Sequence, residues 1–574
     1  MQDVFNTDDT QGNSVASMLL GWPVSGYLGG QPSTIDKSKD TGFYIQDDWK
    51  VNQRLTVNMG LRYEWSTPFN ERFDRLQWPD FSADTGVDVP GLGRLTGTTI
   101  FAGDNGKRSV SPDWNNFGPR LGFAYRLNDK TVLRGGAGLY YGFSTATNYQ
   151  YVGSAFYKGY NMTFSKDGGI TQYAKLDNVF PDGVAGPEGK EHGENARWGF
   201  SNSSTIDEGF RNAEIYQWNF GIQRELPGGM LLEANYSASR STHLPWGSAR
   251  NHNFISREAR EEWGRRGLSQ LVPNPFQPLF SGPDAIYNAP DSIYNDPEIP
   301  RRNLLRPYPQ FSGSFSGLAI PAATARYNAL QVRFEKRYSQ GLNFTGNYTF
   351  SKMKDDGSLG SNSWLLTNDE GIGNIQDLTY RRPEYGVGYS DTPHRFVVAV
   401  SYDLPFGKGR HFGSNVARGV DYLIGGWKFN SFVTFQSGNP IAIRMDFNRL
   451  QDGSQRPNVS GDPRGASIQD VVDGNGNYFN DAALSDPGDQ VPGNVPRYFD
   501  TVRTQGITNI DFSIYKSFQI REDMRFEIHG EFFNFTNTPR FGRPGYWYGS
   551  DDFGNISSMA NSPRRGQIGF RFTF

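Results

Sequence analysis

Four oxygen-bearing residues, Asp473, Asn475, Asn477 and Asp481, stand at the spacing of ligands in a calcium loop. Such a loop also needs glycine at its sixth position and glutamate at its twelfth, where this sequence has Tyr478 and Leu484. Gly474 and Gly476 suit tight turns, so a turn-rich connection is the stronger reading and calcium the weaker. The six histidines, His192, His243, His252, His394, His411 and His529, show neither i, i+4 metal spacing nor an HExxH context. Asp355-Asp356 and Asp551-Asp552 are paired carboxylates, which could serve proton transfer if held in a cleft. They read instead as solvated loop charge without a fixed partner. The sequence has no Gly-x-Ser-x-Gly elbow and no phosphate-binding glycine loop. Cysteine is absent, which removes disulfides, thiolate metal sites and thiol nucleophiles together. No catalytic residue and no cofactor are therefore expected, and the elements must be built for something other than bond chemistry.

Those elements write a period of two. In 54–65, Leu55, Val57, Met59, Leu61, Tyr63 and Trp65 fall on one side of an extended strand. Arg54, Thr56, Asn58, Gly60, Arg62 and Glu64 fall on the other. The pattern recurs in 216–222, 342–350, 396–404 and 567–574, the last setting Ile568, Phe570, Phe572 and Phe574 against Gln567, Gly569, Arg571 and Thr573. Weaker examples run over 42–51, 117–127, 131–143, 230–240, 326–338, 425–436, 507–520 and 524–534, giving about 13–14 strands. His394 begins one of these strands, and His529 shares a polar face with Arg525, Glu527 and Glu531. That cluster reads as structural, in contact with water or an internal plug.

Composition selects the class of strand protein. Mean hydropathy is −0.62, yet aromatic residues make up 15% of the 574 residues. Aromatic girdles, polar lumens and long polar loops give transmembrane β-barrels that combination. No run of 18 apolar residues exists to form a membrane-spanning helix. Net charge is −3 with dispersed signs, and the lack of a basic block argues against a nucleic-acid surface. Connections alternate in length: tight links at Asn52-Gln53, 128–130, 227–229, Gln340-Gly341 and 521–523, and long ones near 66–116, 144–213, 241–325, 353–393, 437–506 and 535–563. Short periplasmic turns and long extracellular loops predict an antiparallel up-and-down barrel. The link 405–424 is longer than the rule expects. Residues 1–41 are expected to be an extracellular loop or the end of a preceding strand, with 42–574 forming barrel. An odd strand set cannot seal in lipid, so the wall is expected to be partial and to lack strands on its N-terminal side. The opening residues carry neither the basic region nor the apolar core of a signal peptide.

Several segments resemble TonB-dependent receptors, and among them the Oar-like group expanded in Acidobacteria. They are Gly42–Val51 with Arg54–Glu64, Phe117–Tyr125, His394–Val397, Leu404–Gly409, Gly425–Lys428, Gln436–Pro440 and Glu531–Asn537. The resemblance spans about residues 11–574 in order and spacing. It implies a barrel of about 22 strands in the Gram-negative outer membrane, preceded by a signal peptide, a plug and a TonB box that are not recognisable here. It also implies outer-membrane lipid, the TonB complex (through the missing N-terminal region) and a small-molecule, sugar or peptide substrate as partners. Phe574 resembles the terminal aromatic read by barrel-assembly machinery. The function implied is substrate uptake. The alternatives are an adhesion or secretion barrel and a soluble all-β carbohydrate-binding or hydrolytic protein. Tyr149, Tyr151, Phe156, Tyr157, Tyr160, Trp198 and Phe200 lie among amides and carboxylates, as a sugar- or peptide-binding surface requires. They would equally serve to pack loops together, so no substrate-binding residue is assigned.

Overall fold

The computed structural model describes residues 18–574 apart from 23–24, 31, 105–111, 143–153, 168–169, 185, 201, 207–210, 247–249, 283–284, 288–291, 314, 319, 357–374, 378–379, 381, 452 and 522. Thirteen strands run in one antiparallel path: β1 (Asp40–Lys50), β2 (Leu55–Ser66), β3 (Phe117–Asn128), β4 (Thr131–Gly142), β5 (Ala213–Leu226), β6 (Met230–Trp246), β7 (Ile320–Ser339), β8 (Leu342–Asp355), β9 (His394–Asp403), β10 (Trp427–Gln436), β11 (Ile507–Gln519), β12 (Arg525–Phe533) and β13 (Arg565–Thr573). Each pairs with its sequence neighbour, which is the up-and-down order of a barrel wall. A fourteenth strand of the sheet, Gly386–Val387, lies on the end of β8.

Register carries the two faces across the whole sheet. Phe43, Tyr63 and Phe117 pair in one row, and Ile45, Leu61 and Pro119 in the next. On the opposite face Gln46, Gly60, Arg120, Gly138 and Gln217 form a continuous row. At the far edge Ile528 pairs with Phe570, while Glu527 pairs with Arg571. The apolar face is exposed: Ile568 is 72% and Phe570 69% accessible. Large apolar side chains left open in such rows are what a wall facing hydrocarbon presents.

The short links have turn chemistry. The Asn52 side chain accepts hydrogen bonds from the Arg54 and Leu55 amides at 2.8 and 2.9 Å, closing β1 onto β2. The longer link after β9 folds locally, with a helix over Arg418–Ile424. Gly426 then enters β10 at φ 68°, and a Cβ there would run into the Ser517 carbonyl.

Several strands exceed expectation. β6 has 17 residues and β7 has 20, because they continue past a bulge between Ser241 and Leu244. His243 sits in that bulge at φ 54°, and the extra residue breaks the alternation that marks a strand in sequence. Strand β8 likewise continues to Asp355, beyond the expected end.

The buried apolar core lies in the connections. One cluster joins Val89 and Leu95, Trp198, and Phe276, Phe280, Tyr294, Ile299, Phe311 and Phe315, drawn from the first three long connections. Another joins Ile441, Ile443, Phe479, Leu484, Val495 and Phe499 with Tyr546 and Phe553, from the last two. No described helix is long and apolar enough to cross a membrane.

Candidate functional site

The long connections fold onto one another at one end of the wall, and this assembly is the candidate site. Its first layer is a hairpin, Gln77–Val89 with Gly93–Phe101. Gln310 holds it from the third connection, donating to the Thr96 and Gly97 carbonyls at 2.7 and 2.8 Å. Thr99 donates to the Ala196 carbonyl at 2.9 Å, tying in the second connection. Sequence alternation missed this hairpin, whose residues Gln77-Trp78-Pro79-Asp80 and Thr96-Gly97-Thr98-Thr99 do not separate into an apolar and a polar face.

Aromatic stacking fills the space beneath. Phe276 stacks on Tyr294 at 4.9 Å, and Phe280 meets Tyr294 edge-on at 5.4 Å. The Tyr287 hydroxyl donates to Glu188 at 2.9 Å and accepts from the Arg197 amide at 3.2 Å. Burial, with Glu188 nearby, pushes the Tyr287 phenol well above its ordinary value. Burial alone lowers the Arg197 guanidinium, and Glu188 opposes it. Of the aromatics singled out in 144–213, Trp198 is fully buried, Phe200 packs against the same cluster and Phe156 meets Phe101 edge-on at 5.7 Å. These three serve loop packing. Tyr157 remains exposed and Tyr160 meets Phe180 edge-on, whereas Tyr149 and Tyr151 lie outside the described residues.

The second layer is electrostatic. Arg456 makes two hydrogen bonds to Glu384, at 2.8 and 3.0 Å, with both side chains buried. Gln376 accepts from the Arg456 and Gly493 amides at 2.8 and 3.0 Å, joining the fourth and fifth connections. Arg503 donates to Asp391 at 2.6 Å and to Asp500 at 3.0 Å, and Lys352 of β8 pairs with the same Asp500. Burial raises the Asp500 carboxyl, but hydrogen bonds from Lys352 and Arg503 outweigh it and hold the group below the usual carboxylate range. Asp355 corrects the expectation of a loop charge without a partner. It ends β8, is buried, and forms an ion pair with Arg497, which also donates to its carbonyl at 2.9 Å. Asp356 is likewise engaged, accepting from the Thr324 amide at 2.6 Å. Arg497 lies 142 residues from Asp355, so no local pattern could have announced the pair.

The calcium-spaced residues are placed separately by their bonds. Asp473 caps the helix Ile468–Val472 and accepts two bonds from Gln469 at 3.0 and 3.1 Å. Asn477 accepts from the Phe479 amide at 2.8 Å and donates to the Phe553 carbonyl at 2.8 Å, clamping two connections. Asp481 opens the 3₁₀ turn Asp481–Ala483, and Asn475 sits in the bend just beyond Asp473. Among the described residues no three His, Asp or Glu side chains converge as a metal cluster. His394 begins β9 and meets the Tyr348 hydroxyl at 2.8 Å. On the polar face His529 faces Glu527 at 3.7 Å, Arg525 faces Glu527 at 3.3 Å, and Tyr515 donates to Glu531 at 3.1 Å.

A family profile described as "Outer membrane beta barrel domain" matches residues 2–567. Among solved structures, the chain is similar to the ferripyoverdine receptor of the outer membrane of Pseudomonas aeruginosa, at 11% identity and TM-score 0.38, covering 95% of this chain and 40% of that one. It is similar to the outer membrane transporter YddB from Escherichia coli at 10% identity and TM-score 0.38, covering 94% and 55%. For the ferric yersiniabactin uptake receptor FyuA from Yersinia pestis the values are 10%, 0.38, 96% and 47%. The chain thus spans less than two thirds of the length of each. No curated protein matches the sequence.

Proposed function

The chain belongs to the family of outer membrane beta barrel domains, and from that membership we propose that it supplies wall and outward loops to a TonB-dependent receptor. Its place is the outer membrane of a Gram-negative cell, which sets aside the soluble all-β alternative. The observation that carries the proposal is the loop assembly, in which successive long connections share cores and ion pairs at one end of a lipid-facing wall. A rigid outward platform can hold a solute before it enters the lumen. Exposed Tyr157 and Phe164 on that platform suit the flat apolar faces of a sugar or peptide, with amide and carboxylate neighbours to bond its rim.

The outer edges of β1 and β13 have no ladder partner among the described residues. An unpaired edge is not viable in hydrocarbon, so further strands of a longer polypeptide close the wall. The same longer polypeptide carries the plug and the segment that contacts TonB. The likeness of Gly42–Val51 and Gln436–Pro440 to Oar-like sequences supports assigning the receptor to that group. Gly438 in the second segment has a physical role as well, since a Cβ there would collide with the Thr504 carbonyl. Phe574, 90% exposed, presents the terminal aromatic for barrel assembly. Transport of this kind requires no bond chemistry from the chain.

An adhesion or secretion barrel is the second reading, and one observation favours it: many large aromatics of the connections, Trp198, Phe276 and Phe479 among them, are buried in loop cores rather than displayed. Deleting the whole gene in its host separates the two. The receptor reading expects saturable uptake of a labelled oligosaccharide or peptide that is lost in the deletion strain and on adding a protonophore. Unchanged uptake across such a panel, with lost attachment or secretion, would establish the second reading instead.

A further inference from the structure

Three cations stand side by side on the lipid-facing surface, and no described residue forms an ion pair with them. Arg240 of β6 pairs directly with Arg326 of β7, and Arg326 with Lys354 of β8. All three are exposed, and no hydrogen bond or ion pair joins any of them to another described residue. Strand parity puts them on the same face as Tyr236, Leu330 and Phe350, which form an exposed apolar row four residues along. At the rise of a β-strand the two rows are about 14 Å apart. The cations lie toward the long connections and hence toward the outer leaflet.

Like charges directly opposite one another weaken a sheet. A cation facing hydrocarbon is costly unless it reaches the interface. Both considerations place this row at headgroup depth and call for an anion beside it. The carboxylates nearby are already engaged. Glu214 accepts from the Tyr216 hydroxyl at 2.8 Å and faces His243 at 3.8 Å, and Asp356 accepts from the Thr324 amide. Lys352, the next cation on this face, is paired with Asp500 and Asp391. Among the described residues at this level of the wall, Arg240, Arg326 and Lys354 are joined to no counter-charge.

The wall is hollowed beside them. A cavity of about 1070 Å³ is lined by Leu121, Leu139 and Trp218 on one flank and by Arg240, His243 and Arg326 on the other, with Glu214 also on its wall and Lys354 continuing the cationic row beyond it. Apolar and cationic flanks in one groove match an amphiphile that carries both acyl chain and phosphate. We propose that this groove is a binding site for a phosphorylated, acylated glycolipid of the outer leaflet, with the phosphate on the Arg240–Arg326–Lys354 row and an acyl chain against Leu121, Leu139 and Trp218. The site rests on the outer-membrane location and not on the transport reading. Its occupant would fasten β6, β7 and β8 to the surrounding lipid at the rim from which the third and fourth long connections rise.

The test uses the full chain assembled in outer membranes, extracted in detergent and probed by native mass spectrometry. The probes are lipid A, lipid A with its phosphates removed, and inorganic phosphate. Retention of lipid A should fall on the order of tenfold to a hundredfold on removing the phosphates. It should fall comparably in the triple variant R240Q/R326Q/K354Q, and inorganic phosphate should not displace the lipid. Equal retention of phosphate-free lipid, or undiminished retention by a triple variant that still migrates as a folded barrel, would overturn the proposal. Displacement by inorganic phosphate would overturn it too, by showing a bare-anion site. Should the triple variant fail to assemble, comparing the two lipids on the unmodified chain decides by itself.

Discussion

The guanidinium of Arg456 and the carboxylate of Glu384 meet through two hydrogen bonds, 2.8 and 3.0 Å long, where neither side chain is more than 4% exposed. This fork joins the fifth long connection to the fourth. A charge-assisted pair of that geometry is strong while complete, and removing one member strands a buried charge at a cost of about 3–5 kcal/mol. Glu384→Ala should therefore release the two connections without opening the wall. Protease added to intact cells should cleave 437–506 faster, while the unheated protein still migrates as a folded barrel. Replacing both residues together, Arg456→Met with Glu384→Leu, should restore much of the resistance, since an apolar pair leaves no orphaned charge. Unaltered cleavage in Glu384→Ala would show that the fork does not hold the connections together.

Asp500 gives the same assembly a pH limit. Its carboxyl is held below the ordinary 3.8 by Lys352 and Arg503, against the opposing effect of burial. A depressed carboxylate contributes stability that is complete above the unfolded value and is lost as pH falls through the folded one. The end of the fifth connection should thus keep its protection from neutral pH down to about 4 and lose it only under stronger acid. Digestion at stepped pH, by pepsin below about 5 and by a neutral protease above it, can follow this directly. Asp500→Asn should be cut already at the upper end of that range, and identical profiles for the two proteins would remove Asp500 from the account.

The wall was legible because two solvents write it into the sequence. Hydrocarbon on one side and water on the other impose a period of two, so the alternation in 54–65 and 131–143 locates β2 and β4 to within a residue or two. Where a bulge at His243 interrupts that period, the strand ends were misplaced. The loop assembly was illegible for the opposite reason. Thr99 and Ala196 bond across 97 residues, Gln310 and Thr96 across 214, and no local rhythm records either contact. Trp198 and Phe200 stand out in the sequence among amides and carboxylates, yet sequence leaves ligand contact and loop packing equally open. Only burial distinguishes them.

Trp198 offers the corresponding packing test. It is fully enclosed among Phe280, Tyr287 and their neighbours in a core made of three connections. Truncation to alanine removes a large buried surface and leaves a cavity, a loss of about 3–5 kcal/mol at a site that cannot collapse. Trp198→Ala should speed hydrogen exchange across the hairpin Gln77–Phe101 and the segment Phe276–Ile299, with the β-strand amides of the wall unchanged. Exchange unchanged in both segments would mean that the connections fold independently of one another.

Ile568 and Gln567 test the two faces of the wall at adjacent positions. Ile568 pairs with Gly530 on the apolar face, whereas Gln567 pairs with Glu531 on the polar face and donates to its carboxylate. An arginine at 568, near the middle of β13, would face hydrocarbon and cost about 2–4 kcal/mol at mid-depth. An arginine at 567 would meet Glu531 in a hydrated interior and should be tolerated. Ile568→Arg should consequently lower the fraction of chain recovered as heat-modifiable, membrane-inserted protein, and Gln567→Arg should leave it near the unmodified level. The reverse order would mean that the aromatic face of β13 looks inward, and with it every row of the sheet.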